Sequence, residues 1–207
     1  MYPMDDFINR NKNTYLKISN VPIKVIDKYT GIVPDELIYI WKNMGFGIYE
    51  DGFLQIINPE EYDFMFNYID KILEPSLIWG LTALGDLLGW EGKENSKIST
   101  KEGDRCYRIN IREFDRNIID NMEGILNVFI NNFDEDKFFI SDSDYFGSQP
   151  YLEIKDKLPK LEYGQCYGYV PALPLGGKAL NENLQVVDAK SYINIIGEAV
   201  GKIYSKD

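Results

Sequence analysis

The stretch Leu77-Ile-Trp-Gly-Leu-Thr-Ala-Leu-Gly-Asp-Leu-Leu-Gly-Trp90, with Cys106-Tyr-Arg-Ile-Asn-Ile111 after it, decides the fold class. Leu77–Leu81, Leu87–Trp90 and Cys106–Ile111 are short runs of aliphatic and aromatic residues, the types that suit a pleated, packed surface. Gly85-Asp86 and the polar segment Glu91 to Asp104 separate them. Three short strands with such connections predict an antiparallel meander. Trp79 and Trp90 lie within apolar runs and read as core anchors, as does Trp41 further upstream.

Upstream of this sheet the pattern is helical. Val25, Ile26 and Tyr29 share one face of a short helix that Gly31 ends. Pro34-Asp35-Glu36 puts proline and two acids in a first helical turn, and Leu37, Ile40, Trp41 and Met44 then recur at helical spacing up to Gly45. Ile48-Tyr49 and Phe53–Ile57 flank the turn residues Asp51-Gly52 and predict a hairpin. Asn58-Pro59 begins a further helical pattern running through Tyr62, Met65, Phe66, Ile69 and Ile72 to Pro75.

Downstream, Ile118 to Ile130 keeps a 3.6-residue period and predicts a helix, as does Pro150 to Leu158. Cys166–Val170 and Leu184–Val187 read as strands, Pro171–Gly177 as a loop, and Asp188 as the cap of a last helix running to Ile203. The expectation is an α+β fold: a helical N-terminal part with a small hairpin, residues 1–75, packed on a C-terminal antiparallel sheet with flanking helices, residues 76–207. No flexible linker separates them.

Composition narrows the function. The 207-residue chain carries 33 Asp and Glu against 22 Lys and Arg, a net charge of −11. Such a field repels phosphate backbones and anionic membranes and attracts basic partners. No histidine is present, so neither a Ser-His-Asp site nor a His-ligated zinc can be built. Cys106 and Cys166 stand alone, sixty residues apart, and read as reduced, buried thiols. The acidic opening without an apolar core is no secretory signal, and the uncharged run from Pro75 to Gly85 is too short to span a bilayer, so a cytoplasmic protein is expected.

Few residues invite chemistry. The acidic run Asp134-Glu135-Asp136 suggests a calcium loop, but Lys137 and Ser143 occupy the places of the obligatory Gly and Glu. A second frame from Asp142 through Asp144 and Gly147 to Glu153 has Phe146 where a ligand belongs. Leu175-Gly-Gly-Lys178 lacks the spacing of a phosphate-binding loop and reads as a turn. Glu36, Asp86 and Glu91 are the scattered acids an acid/base pair would draw on, without spacing that joins them. Expected catalytic residues, metal ligands and cofactors are therefore none. Acids beside aromatics fit a surface that meets a basic protein, and Glu50, Asp51, Asp134, Glu135, Asp136, Asp142, Asp144 and Tyr145 are the candidates.

Two longer segments carry a resemblance. Val33-Pro-Asp-Glu-Leu-Ile-Tyr-Ile-Trp-Lys-Asn-Met-Gly-Phe-Gly47 and Gly52-Phe-Leu-Gln-Ile-Ile-Asn-Pro-Glu-Glu-Tyr62 are similar to the GAD-like domain of bacterial proteins. Trp79–Trp90, Tyr167-Gly-Tyr-Val-Pro-Ala-Leu-Pro-Leu-Gly-Gly177 and Glu182-Asn-Leu184 resemble the C-terminal domain of type VI secretion DNase-immunity proteins. The resemblance implies an immunity protein that binds and neutralises a cognate toxin, a nuclease among the possibilities, and it transfers no catalytic residue. A small carboxylate- or metal-dependent enzyme and a signalling scaffold are the alternatives from other classes.

Overall fold

A computed structural model describes residues 5–13, 15–93, 97, 103–120 and 150–203. Helix α1 (Asp5–Asn11) leads to strand β1 (Leu16–Ser19), and helices α2 (Ile23–Tyr29) and α3 (Asp35–Asn43) follow. Strands β2 (Phe46–Tyr49), β3 (Leu54–Ile56), β4 (Ser76–Thr82), β5 (Leu87–Glu91), β6 (Arg105–Asn110) and β7 (Asp115–Asp120) then complete one sheet. After α4 (Pro150–Ile154), strands β8 (Gln165–Tyr169) and β9 (Leu184–Asp188) form a separate ribbon, and α5 (Ala189–Val200) closes the described chain.

The large sheet has seven strands in sequence order β1 to β7, every neighbouring pair antiparallel. The meander is therefore present, and the β2–β3 hairpin is part of it: Leu54 faces Thr82 and Ile56 faces Gly80 across the β3–β4 ladder. This corrects the arrangement of a small hairpin packed against a separate sheet. Hydrogen bonding between β3 and β4 satisfies backbone groups that would otherwise be buried unpaired.

Alternation explains why the central strands look uniformly apolar. Leu77, Trp79, Leu88, Trp90 and Cys106 point into one core with Val25, Leu37, Ile40 and Trp41 of α2 and α3. Ile78, Leu81, Leu87, Tyr107 and Ile109 point into a second core with Met65, Ile193 and Ile196. A bulge between Ile78 and Gly80 shifts the phase, so that Leu81 falls on the same side as Ile78. Both faces are covered, and each strand buries side chains in two directions.

Three helical expectations are revised. Residues after Asn58 form two 3-10 segments, Pro59–Glu61 and Asp63–Asn67, instead of an α-helix to Ile72. Asn58 does cap the first, accepting from the Glu60 N–H at 3.3 Å. Beyond it the chain straightens because Ile203 N–H donates to Tyr68 and Asp70 N–H donates to Ile203, a tertiary pairing that outcompetes helical bonding. Ile118 lies in β7, opposite Tyr107, so the helix expected from Ile118 does not start there, and its remainder falls outside the described residues. Helix α4 ends at Ile154 instead of Leu158. The last helix keeps its cap: the Asp188 carboxylate accepts from Ser191 N–H at 2.8 Å.

Candidate partner-binding surface

The turn joining β2 to β3 holds two of the acids singled out in the sequence. Glu50, Asp51 and Gly52 take left-handed backbone angles, with φ of 49°, 54° and 94°. Such angles are uncommon for residues with a Cβ and need support from their surroundings. The buried Asn11 supplies it: its side-chain amide donates to Glu50 Oε1 at 2.7 Å while its oxygen accepts from Glu50 N–H at 2.7 Å. The same amide donates to the Phe7 carbonyl at 3.0 Å, so α1 sets the turn. Glu50 is therefore half-buried and bonded inward. Asp51 points out, with its side chain 75% exposed and 2.8 Å from Lys155. That hydrogen bond raises the Lys155 ammonium above its ordinary value.

Helix α4 packs on this turn. Tyr151 O–H donates to the Asp51 carbonyl at 2.7 Å, and its ring lies 5.0 Å from that of Phe53. Burial raises the Tyr151 phenol, which keeps it a donor. Between α4, the following loop and the outer strands lies a groove of about 290 Å³ lined by Leu16, Ile48, Asp51, Tyr151, Leu161 and Tyr167, with Lys155, Asp156 and Lys160 at the same opening. Leu16, Tyr151, Leu161 and Tyr167 were not foreseen as lining one groove, because they reach it from segments more than a hundred residues apart in sequence. Asp134, Glu135, Asp136, Asp142, Asp144 and Tyr145 lie outside the described residues.

The acids considered for catalysis have other partners. Asp86 Oδ2 lies 3.0 Å from Arg112 and its Oδ1 accepts from the Ile111 N–H. Glu91, fully buried, sits between Arg105 at 2.7 Å and Arg116 at 2.9 Å and also accepts from Leu73 N–H. Arg116 in turn lies over the Tyr107 ring, 5.2 Å from its centre. These pairs tie β5 to β6, β7 and the loop before β4, and they enclose the carboxylates. Glu36 is buried on α3. The Gly176-Gly177 turn spends its amides internally: Leu175 and Gly177 donate to the Ala172 carbonyl and Gly176 to that of Leu173. A turn so closed has no anion cradle. Glu153, the last position of the second calcium frame, accepts from Asn181 at 3.1 Å.

Both cysteines are free and buried, and burial raises the Cys166 thiol. Among the described residues no group of three or more His, Cys, Asp or Glu could hold a metal, and no helix is long and apolar enough to cross a membrane.

The groove therefore lies beside a turn held by Asn11, and Asp86 and Glu91 are engaged in ion pairs. Residues 4–102 match the GAD-like domain, and residues 126–199 match the C-terminal domain of the type VI secretion immunity protein Tdi1. The chain joins a GAD-like domain to a type VI secretion immunity C-terminal domain. The GAD-like match takes in β1 to β5, whereas the immunity match takes in α4, β8, β9 and nearly all of α5. A solved structure, Atu4351 from Agrobacterium tumefaciens, is similar in fold: TM-score 0.75 and 23% identity over 95% of this chain and 89% of that one. No curated protein matches the chain.

Proposed function

We propose that this chain is a cytoplasmic immunity protein that neutralises a cognate type VI secretion toxin by stoichiometric binding, without turnover. The observation that carries the reading is the match of residues 126–199 to an immunity family. Charge supports it: a chain at −11 is steered toward a basic protein, and a nuclease that holds nucleic acid presents such a surface. Asp51, together with Glu50, Asp134, Glu135, Asp136, Asp142 and Asp144, supplies the steering, and Tyr145 an anchoring ring. Glu50 contributes through the field of its half-buried carboxylate rather than by direct contact, since Asn11 already binds it.

The test is capture of the toxin with the tagged chain from its own cells, followed by co-expression of the captured toxin with this chain. Cells carrying the toxin should survive only when this chain is present, and the purified pair should elute as a complex of fixed stoichiometry. Continued killing with no complex overturns the assignment.

A further inference from the structure

Strand β1 ends the seven-stranded sheet, and all four of its residues are exposed, Leu16 by 57% and Ile18 by 48%. Its carbonyl directions are known from its neighbours. A Cβ placed on Gly47 would lie 2.5 Å from the Leu16 oxygen, and one on Gly45 would lie 2.3 Å from the Ser19 oxygen. The Leu16 oxygen therefore faces β2, and the Ser19 oxygen faces Gly45 just before it. Backbone groups alternate along a strand, so the N–H and C=O of Lys17 face away from the sheet. Edge strands are usually guarded by charge or by a bulge. Here the bulge follows Lys17, and the Lys17 side chain folds back, its Cε 2.9 Å from the position a Gly45 Cβ would take. The outward backbone at Lys17 is left open.

The groove begins at this same edge. Leu16 and Ile48 face each other across the β1–β2 ladder and both line it, with Tyr151, Leu161 and Tyr167 as the opposite wall. A strand added beside β1 would send alternate side chains to that face, which is how edge recognition combines main-chain affinity with side-chain specificity. At about 290 Å³, near the small end of ligand pockets, the groove suits a single bulky side chain. At the opening Asp51 and Asp156 are balanced by Lys155 and Lys160, and the preference for a basic segment comes from the chain's overall charge of −11.

We propose that the toxin docks by laying an extended, basic segment along β1, hydrogen-bonded to Lys17 and anchored by one apolar or aromatic side chain in the groove. This rests on the immunity reading above and adds the surface and the kind of segment it takes.

The experiment uses the full chain and the toxin captured with it in the test above. Lys17→Pro removes the outward N–H without touching a bond to β2, and Leu16→Asp puts a charge at the groove wall. Ile23→Asp, at an exposed site on α2 apart from the groove lining, is the control. Expected are a loss of toxin affinity of about tenfold or more for the first two, mainly through faster dissociation, and little change for the control. Hydrogen exchange on the unmodified chain provides a readout that no misfolded variant can mimic: toxin binding should slow exchange at the Lys17 amide. Normal toxin binding by both edge variants, with Lys17 exchange unaltered, overturns the docking mode and leaves the immunity role standing. Absence of toxin binding by the unmodified chain overturns both. A dimer of the free chain that Lys17→Pro dissociates would assign the edge to a second copy and overturn the proposal.

Discussion

At the scale of single residues, polar side chains here mainly close backbone and charge accounts inside the fold. Asp188 caps α5, and hydrogen bonds from the side chain and backbone N–H of Ser191 hold its carboxyl below the ordinary carboxylate range. A depressed folded-state value stabilises above the unfolded value of about 3.9 and is lost as pH falls through the folded one. Asp188→Ala should therefore lower stability by about 1 kcal/mol at pH 7. The deficit should shrink as the pH is taken below about 4, where the native carboxylate also protonates. Urea melts of both proteins across that range check it. Glu91 is a different case, because Arg105 and Arg116 both converge on it in the interior. Glu91→Gln removes the charge while leaving a guanidinium buried, and should cost about 3–5 kcal/mol in the same melts. Asp188 was legible as a cap because cap chemistry is local. Glu91 was not legible as an ion-pair centre, since its partners are set by strand register.

At the scale of elements, Gly45-Phe46-Gly47 shows what glycine permits. Both glycines lie under the β1 backbone, where a side chain would strike the carbonyls of Ser19 and Leu16. Gly47→Ala should destabilise by about 1–3 kcal/mol, as overpacking does, and should speed amide exchange in Leu16–Ser19 before the rest of the sheet. Uniform exchange would show that β1 is held by other contacts. The same scale explains which elements were misread. Tyr62, Met65 and Ile69 have helical spacing, yet the pairing of Ile69 with Ile203 extends the chain there. Ile118 begins a helical pattern but pairs opposite Tyr107 in β7. In both cases a distant partner overrides a local period.

At the scale of the whole molecule, one sheet runs through position 75, with β3 and β4 hydrogen-bonded across it and two cores laid on its faces. Equilibrium unfolding should accordingly be a single transition by both fluorescence and circular dichroism. Separate midpoints for the two probes would show that the cores melt independently. The charge of −11 also acts at this scale. Reversing Asp51, Asp134, Glu135, Asp136, Asp142 and Asp144 to Lys should slow toxin association and flatten its salt dependence, with smaller effects on dissociation. Stopped-flow binding over a salt series measures this, and salt-independent association of the unmodified chain would contradict it.

Composition and local pattern determined by themselves the missing imidazole chemistry, the acidic field, the strand runs from Leu77 to Ile111, the helices around Trp41 and after Asp188, and the two family segments. Each depends on residue type or on neighbours a few positions away. Only the tertiary structure decided that the hairpin joins the meander, that Asn11 turns Glu50 inward while Asp51 stays out, and that Leu16, Tyr151 and Tyr167 line one groove. Those facts depend on strand register and on contacts between residues up to about a hundred and fifty positions apart, which arise when the chain buries its apolar surface and pairs the backbone groups buried with it.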